Sequence, residues 1–350
     1  MKAIQIDKPY NSSLKVINPK KLGIHDILIE VGYCGICGTD LHIYEGKVPF
    51  VKYPIILGHE FSGKVAAIGS EVRNIDIGEK VAVNPNLSCK DYHFSKEDYC
   101  FYCRKNRPHF CYKWEAIGVT TDGAYAEYVV CPISSVFKIP KNVSLKEAAF
   151  MEPIACCLHG LKRLNLTPEN TVLIIGAGPI GLLMTALIKT EYKSRIIVSE
   201  LNNFRRMQAI SQGADIVIDP RSESLDEIIL NETEGNGVDN AIEAVGSVQT
   251  AFEAIKFLNK GGEALIFGVT EIEETIDLKL HNLYSKELSL FGSFTNPHEN
   301  YEALKLLENK TVNTSKIISH ILSLDRVEEG LMLLNKGIDN VLKILIKPDD

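Results

Sequence analysis

Thr171-Val-Leu-Ile-Ile175 runs into Gly176-Ala-Gly178-Pro179-Ile180-Gly181 and then into the helical stretch Gly181–Lys189. A lone glycine pattern says little. Here a strand precedes it, a helix follows it, and a second strand, Ile196-Ile-Val-Ser-Glu200, ends on an acid. That context defines a dinucleotide-binding turn. Gly176 permits the tight turn, Gly178 lets the backbone approach a pyrophosphate, and Gly181 allows close helix–sheet packing. The helix start offers free N–H groups to the phosphates. Glu200 can accept from both ribose hydroxyls and would repel a 2′-phosphate, which favours NAD over NADP. Arg205 and Arg206 follow and could stack on adenine or meet a phosphate; Val245 and Val269 complete the expected cofactor contacts.

Outward from this turn the second half of the chain alternates. Apolar runs at Thr171–Ile175, Arg195–Ser199, Asp215–Ile218, Val238–Val245 and Glu263–Phe267 are separated by helical stretches at Phe204–Gln212, Ser224–Thr233 and Val248–Leu258. This predicts an α/β fold with a doubly wound parallel Rossmann sheet. A strand at Leu288–Ser293 follows, then helical stretches at Glu299–Asn309 and Leu324–Lys336 and a last apolar strand at Val341–Ile346. From Met1 to about Lys141 the pattern is short alternating runs broken by Gly, Pro and Asn, which predicts a mainly β, barrel-like unit. The chain has 350 residues, and about 100–200 per domain is usual. The expected division is 1–150, completed by 294–350, and 151–293.

Hydrophobic residues make up 45% and charged residues 24%, which is ordinary for a globular protein. The net charge of −7 comes with no basic run, so nucleic acid is excluded as a partner. No apolar stretch approaches membrane-span length, and the N-terminus lacks an apolar leader pattern. Cytoplasm is the expected compartment and no membrane partner is expected. The nine cysteines are odd in number, which argues against a disulfide framework. Four of them, Cys89, Cys100, Cys103 and Cys111, cluster in a way that points to metal. Cys34, Cys131, Cys156 and Cys157 read as small buried hydrophobes.

The first half also carries Gly35-Ile-Cys37-Gly-Thr39-Asp40-Leu-His42 and Gly58-His59-Glu60. Cys37 and His59 are natural zinc ligands, and a catalytic site needs only three protein ligands with one position left open. Glu60 or Glu152, the latter in Phe150-Met-Glu152-Pro, could supply the third. Asp40 could orient His59 from behind.

These segments, with Thr121-Asp-Gly-Ala-Tyr-Ala-Glu-Tyr128 and Glu152-Pro-Ile-Ala-Cys-Cys-Leu-His159, lie in the expected order along nearly the whole chain. In that combination the chain resembles the zinc-containing medium-chain dehydrogenases, within them the sorbitol (polyol) dehydrogenase branch. The resemblance implies a GroES-like catalytic barrel beside the Rossmann unit, a catalytic zinc on Cys37 and His59, and a glutamate at Glu152 where simple alcohol dehydrogenases carry a second cysteine. Glu60 resembles the neighbour that ligates or gives way as the site opens and closes. Zinc makes the alcohol acidic; for water the shift is roughly eight pKa units, about 11 kcal/mol. Thr39 would take the hydroxyl proton and pass it through the ribose to His42, while hydride goes to NAD.

Cys100-x2-Cys103-x7-Cys111 has the spacing of the last three ligands of the family's structural zinc lobe. Ten residues separate Cys89 from Cys100, where the family leaves two, so an insertion within Lys90–Tyr99 is implied. Four cysteines could still close the site, or His93 or His109 could replace one. Expected substrate walls, in a pocket between the domains, are Ile43, Tyr44, Trp114, Glu115 and Ser293-Phe-Thr295-Asn296; animal sorbitol dehydrogenases carry an Arg-Tyr pair where this chain has Thr295-Asn296. The implied reaction oxidises a secondary alcohol of a small-molecule polyol. An L-threonine 3-dehydrogenase-like or diol-oxidising enzyme is the nearest alternative, and a nucleotide-sensing protein on the same scaffold is a different class. A zinc-free quinone-reductase-like enzyme would lack Cys37 and His59. The resemblance also implies a homodimer or homotetramer paired through the edge at Leu288–Ser293.

Overall fold

The computed structural model describes residues 1–92, 95–337 and 340–348. The chain divides into two compact units. One contains Met1–Ala155, Thr295–Lys310 and Ile318–Asp350, the other Cys156–Phe294 and Thr311–Ile317.

The hub of the first unit is the strand Asp26–Gly35, whose inward residues Ile27, Ile29 and Val31 are fully buried. Its alternating burial is that of a half-buried strand. It pairs antiparallel with Glu60–Ile68, Tyr128–Pro132 and Lys343–Lys347. Lys80–Val83 and Val136–Lys138 extend this seven-stranded sheet on one side, Ile318–Ser323 on the other. A three-stranded sheet of Asn11–Val16, Lys2–Lys8 and Ile55–Ile56 shares the same apolar core. The register is what assembles the site. Gly35 lies opposite both Glu60 and Leu345, so the last residues of the hub strand bring three distant segments together.

The second unit is a six-stranded parallel sheet. Its spatial order is Ile216–Ile218, Arg195–Ser199, Thr171–Ile175, Val238–Glu243, Leu258–Ile266, Ser289–Gly292. This is the doubly wound order that reverses beside its first strand. Past their first residues the inner strands Thr171–Ile175 and Arg195–Ser199 are buried and almost wholly apolar on both faces, as a sheet covered by helices on each side requires. Leu173, Ile197, Ala241 and Ala264 are fully buried.

Two details differ from the expected division. The change of unit falls within the helix Met151–Leu161, after Ala155 rather than at its start. Thr311–Ile317 lies with the second unit, although the expected return ran unbroken from 294. Two side-chain donors tie it there: Gln212 Nε2 to the Asn313 carbonyl at 3.3 Å and Lys316 Nζ to the Ser211 carbonyl at 3.4 Å. Among the described residues no helix is long and apolar enough to cross a membrane.

Candidate active site and metal centres

The hub strand ends at Gly35. The Ile36 N–H donates to the Ile344 carbonyl at 2.9 Å, and Cys37 then caps the short helix Gly38–Tyr44. The Cys37 N–H donates to Asp40 Oδ2 at 2.8 Å. That fixes the Cys37 backbone, with Thr39 Oγ1 3.8 Å from its sulfur. Gly58 precedes the second ligand at φ +95°, and a Cβ there would meet Tyr125 Cδ1 at 2.7 Å and Cys34 Sγ at 2.8 Å. Only glycine serves at this turn.

Cys37, His59 and Glu60 come together, with one ligand atom of each within 4.8 Å of the others. Asp40 is fully buried behind His59. Its Oδ1 lies 3.3 Å from His59 Nδ1. Its Oδ2 accepts from the Tyr125 hydroxyl at 2.9 Å. Burial opposes a charge on His59, but Asp40, and after it Cys37, outweigh that and hold the imidazole pKa well above its ordinary range. A buried cation-favouring pocket of this kind suits a metal in place of that proton. Zinc bonds of 2.0–2.3 Å set tetrahedral ligand atoms about 3.3–3.8 Å apart, and the three ligand atoms here lie within 4.8 Å of one another.

Glu60 is 2% exposed and is gripped by a partner the sequence reading missed. Lys343 Nζ donates to Glu60 Oε1 at 2.8 Å and Oε2 at 2.7 Å, and to the Ile36 carbonyl at 3.2 Å. Burial works against the Lys343 charge, but Glu60, with Cys37 and Glu152 adding to it, keeps the ammonium protonated well above the ordinary lysine range. The available signal was a single lysine inside the apolar run Val341–Ile346.

Glu152 is 8% exposed in the first turn of Met151–Leu161 and stands outside the tight Cys37–His59–Glu60 set. Asn296 Nδ2 donates to its backbone carbonyl at 3.2 Å and approaches Oε1 at 3.5 Å. Asn296 Oδ1 accepts from Asn86 Nδ2 at 2.8 Å, and Asn86 Oδ1 accepts from Trp114 Nε1 at 3.2 Å. Asn296 is fully buried, so the expectation that it walls the substrate is corrected: its amide is spent inside the protein. Ile43 and Tyr44 are corrected likewise. Both lie in the apolar core, and the Tyr44 hydroxyl donates to Glu328 Oε1 at 2.9 Å. Thr295 sits at φ +54°, an outlier for a β-branched residue. His42 is half-buried three residues beyond Thr39 on the same helix.

Among the described residues the cysteine lobe is assembled from sulfurs alone. Cys89, Cys100, Cys103 and Cys111 hold their sulfurs within 4.8 Å of one another, all reduced. The Cys89–Cys111 and Cys100–Cys111 sulfurs are 3.5 and 3.8 Å apart. A tetrahedral zinc with 2.3 Å bonds needs about 3.8 Å. Burial opposes ionisation of Cys100, but the Cys103 and Tyr112 backbones outweigh it and bring the thiol down to about 6. Burial pushes Cys103 and Cys111 up. Cys89 keeps its place, and of the inserted residues Asp91 is buried, its carboxylate accepting from the Ser88 N–H at 2.7 Å. His109 packs on Phe110 at 4.0 Å between ring centres and stands outside the sulfur set; His93 lies outside the described residues. Elemental analysis should give two zinc per chain, and Cys111→Ser should give one while lowering the unfolding midpoint. Two zinc retained in that variant would remove Cys111 from the set. Of the remaining cysteines, Cys34, Cys131 and Cys157 are buried as expected, but Cys156 is partly exposed.

In the second unit Gly176 has φ +98°, and a Cβ on Gly181 would lie 1.9 Å from the Gly176 carbonyl oxygen. Gly178 caps the helix Pro179–Leu187, with Pro179 and Ile180 in its first turn. Glu200 Oε2 accepts from the Ala177 N–H at 2.7 Å, so the acid ending Arg195–Ser199 braces the glycine turn. Arg206 is not free to meet a phosphate. It donates to the Glu200 and Leu201 carbonyls, both at 2.8 Å, and pairs with Asp219 at 3.1 Å. The Arg205 N–H, in the first turn of the helix Asn203–Ser211, donates to the Asn202 cap at 3.2 Å, and Val245 and Val269 are exposed.

Comparison with known proteins agrees with this geometry. Residues 23–141 match the alcohol dehydrogenase GroES-like domain and residues 179–309 the zinc-binding dehydrogenase domain. The chain is 33% identical to an L-threonine 3-dehydrogenase of Pyrococcus horikoshii, covering 99% of each. It is 29% identical to D-arabinitol dehydrogenase 1 of Uromyces fabae, covering 100% of this chain and 97% of that one. A zinc-binding dehydrogenase of Sinorhizobium meliloti, solved with NADP bound, superposes with a TM-score of 0.92 at 33% identity over 99% of each chain. The chain belongs to the zinc-dependent medium-chain alcohol dehydrogenase family. It is an oxidoreductase, with zinc and a nicotinamide dinucleotide as its cofactors.

Proposed function

We propose that this protein oxidises a secondary alcohol of a sugar alcohol to the ketone, reducing NAD. The observation that carries this is the donor set: one thiolate and one imidazole, Cys37 and His59, with carboxylates at Glu60 and Glu152 and, among the described residues, no second cysteine in the set. Cys37 and His59 would hold the zinc, and Glu60 and Glu152 are the carboxylates able to complete it. Zinc supplies the acidity that lets a bound alcohol give up its proton.

The chain's own groups do the rest. Asp40 holds the His59 ring through Nδ1, leaving the other nitrogen for the metal. Thr39 Oγ1, beside the Cys37 sulfur, would accept the alcohol's proton as it passes its own through the cofactor's ribose hydroxyl to His42, which lies on the same face of that helix partly in water and releases it to solvent. Lys343 holds Glu60 back from the site or yields it. The amide chain Trp114–Asn86–Asn296 steadies Glu152.

Threonine oxidation is the second reading, favoured by the 33% identity to the Pyrococcus enzyme. Initial rates of NAD reduction with L-threonine and a panel of pentitols, hexitols and vicinal diols separate the two. An alditol should exceed L-threonine in kcat/KM by about ten-fold or more, a difference of about 1.4 kcal/mol in transition-state binding. The reverse ratio hands the assignment to threonine.

The preference for NAD rests on Glu200. Glu200→Ala should raise the KM for NAD and narrow the NAD/NADP ratio by about ten-fold, since both the ribose acceptor and its repulsion of a 2′-phosphate are lost. An unaltered ratio would refute that role. We place the enzyme in the cytoplasm, acting on a small-molecule alcohol as a homodimer or homotetramer, without nucleic acid or membrane partners; size-exclusion with light scattering tests the assembly.

A further inference from the structure

We propose that Glu243 is a positioning residue for the nicotinamide half of the cofactor, through two loops that it ties together; this rests on the dinucleotide reading above. Glu243 ends the strand Val238–Glu243 and is fully buried. Its Oε1 accepts from the Val245 N–H at 2.8 Å, the Gly246 N–H at 2.7 Å and the Thr250 hydroxyl at 2.8 Å. Its Oε2 accepts from the Gly268 N–H at 3.2 Å. One carboxylate therefore holds both the turn after its own strand and the turn after the neighbouring strand Leu258–Ile266.

The two turns are pressed together on glycine. A Cβ on Gly268 would lie 2.2 Å from the Gly246 nitrogen, and one on Gly246, at φ +89°, would lie 2.6 Å from the Val269 oxygen. The first turn also touches the pyrophosphate turn, since a Cβ on Gly176 would meet Val245 Cγ2 at 2.6 Å. Glu243 is the buried acceptor that these partly exposed turns share, so losing it frees the turns to shift relative to each other.

The sheet order says what these turns serve. Strand order reverses between Thr171–Ile175 and Val238–Glu243, and a dinucleotide lies across such a reversal at the carboxyl ends of the strands. Glu200, at the ribose position, marks the adenosine side over Arg195–Ser199. The other half of the cofactor then falls over the ends of Val238–Glu243 and Leu258–Ile266, where Val245 and Val269 are 55% and 68% exposed. Apolar side chains on fixed turns there can pack against a nicotinamide ring. Glu243 itself, with no exposed surface, acts through them.

Calorimetric titration of the intact protein with AMP and with NADH tests this, using Glu243→Gln and Thr250→Val. A glutamine that turns its NH2 toward Gly268 leaves that N–H only its 3.1 Å bond to the Glu243 backbone carbonyl, and one that turns it toward the Oε1 cluster strips the Val245 and Gly246 turn of its acceptor. The expected result is an AMP Kd within about two-fold of wild type and an NADH Kd raised about ten-fold in Glu243→Gln, with about a three-fold rise in Thr250→Val. A merely structural role would weaken both ligands alike; parallel changes, or none, overturn the proposal. Should Glu243→Gln not fold, the AMP-to-NADH contrast in Thr250→Val decides by the same criterion. A wild-type protein that bound neither ligand would overturn the dinucleotide reading, and this proposal with it. Wild-type binding of both, with parallel changes in the variants, would overturn the proposal alone.

Discussion

Cys37→Ser should lower turnover by about three orders of magnitude or more while leaving NADH affinity unchanged and removing one zinc per chain. Three orders of magnitude is about 4 kcal/mol, a lower bound, because zinc contributes of the order of 10 kcal/mol to deprotonating an alcohol. The variant is clean for a local reason. Cys37 caps the helix Gly38–Tyr44, its N–H held by Asp40, and serine is a favoured residue at that position. The backbone should stay in place while the metal leaves, because a hydroxyl is a far poorer zinc ligand than a thiolate. Kinetics, elemental analysis and an NADH titration on one preparation read all three expectations. The lobe zinc should remain, since its four sulfurs belong to a separate cluster. Retained turnover with a full zinc complement would remove Cys37 from the mechanism.

What could be read from the chain was what is local in it. The glycine turn is contiguous, Glu200 comes one strand later, 23 residues from the Ala177 N–H it accepts from, and Cys100 and Cys111 are 11 residues apart, so sequence spacing carries them. Even the burial of Ile43 and Tyr44 was available: with Asp40 they fall at i, i+3 and i+4 on one face of the helix, the spacing of a core-facing stripe. What could not be read depends on pairing across the chain. Asn296 looked like a polar wall for substrate until Asn86, 210 residues away, claimed its carbonyl and Glu152 its amide. Lys343 and Glu60 are 283 residues apart and meet only because Lys343–Lys347 and Glu60–Ile68 flank the same hub strand at Gly35. Buried polar groups need partners. A sequence shows that a partner must exist without showing which one.

The Lys343–Glu60 pair is where that missing information has its largest consequence for stability. Lys343→Met keeps the length and apolar stem of the side chain but leaves the Glu60 carboxylate buried without its cation. Removing one partner of a buried pair typically costs about 3–5 kcal/mol, whereas replacing both with neutral groups costs far less. Lys343→Met should therefore destabilise the catalytic unit by about that amount, and Lys343→Met with Glu60→Gln should recover most of it. The single tryptophan makes the measurement specific. Trp114 belongs to the catalytic unit, so its fluorescence in a denaturant titration reports that unit. The ammonium is held protonated above its ordinary range, so the pair's contribution is fully present at neutral pH and is lost only as pH rises beyond the ordinary lysine pKa of 10.5. Activity should separate from stability. The double variant regains the fold but not turnover, because Glu60 stands within reach of Cys37 and His59 and serves the metal site as well as the lysine. If Lys343→Met were as stable as wild type, Glu60 would have to find its charge partner elsewhere, and the restraint on its approach to the metal would not be Lys343.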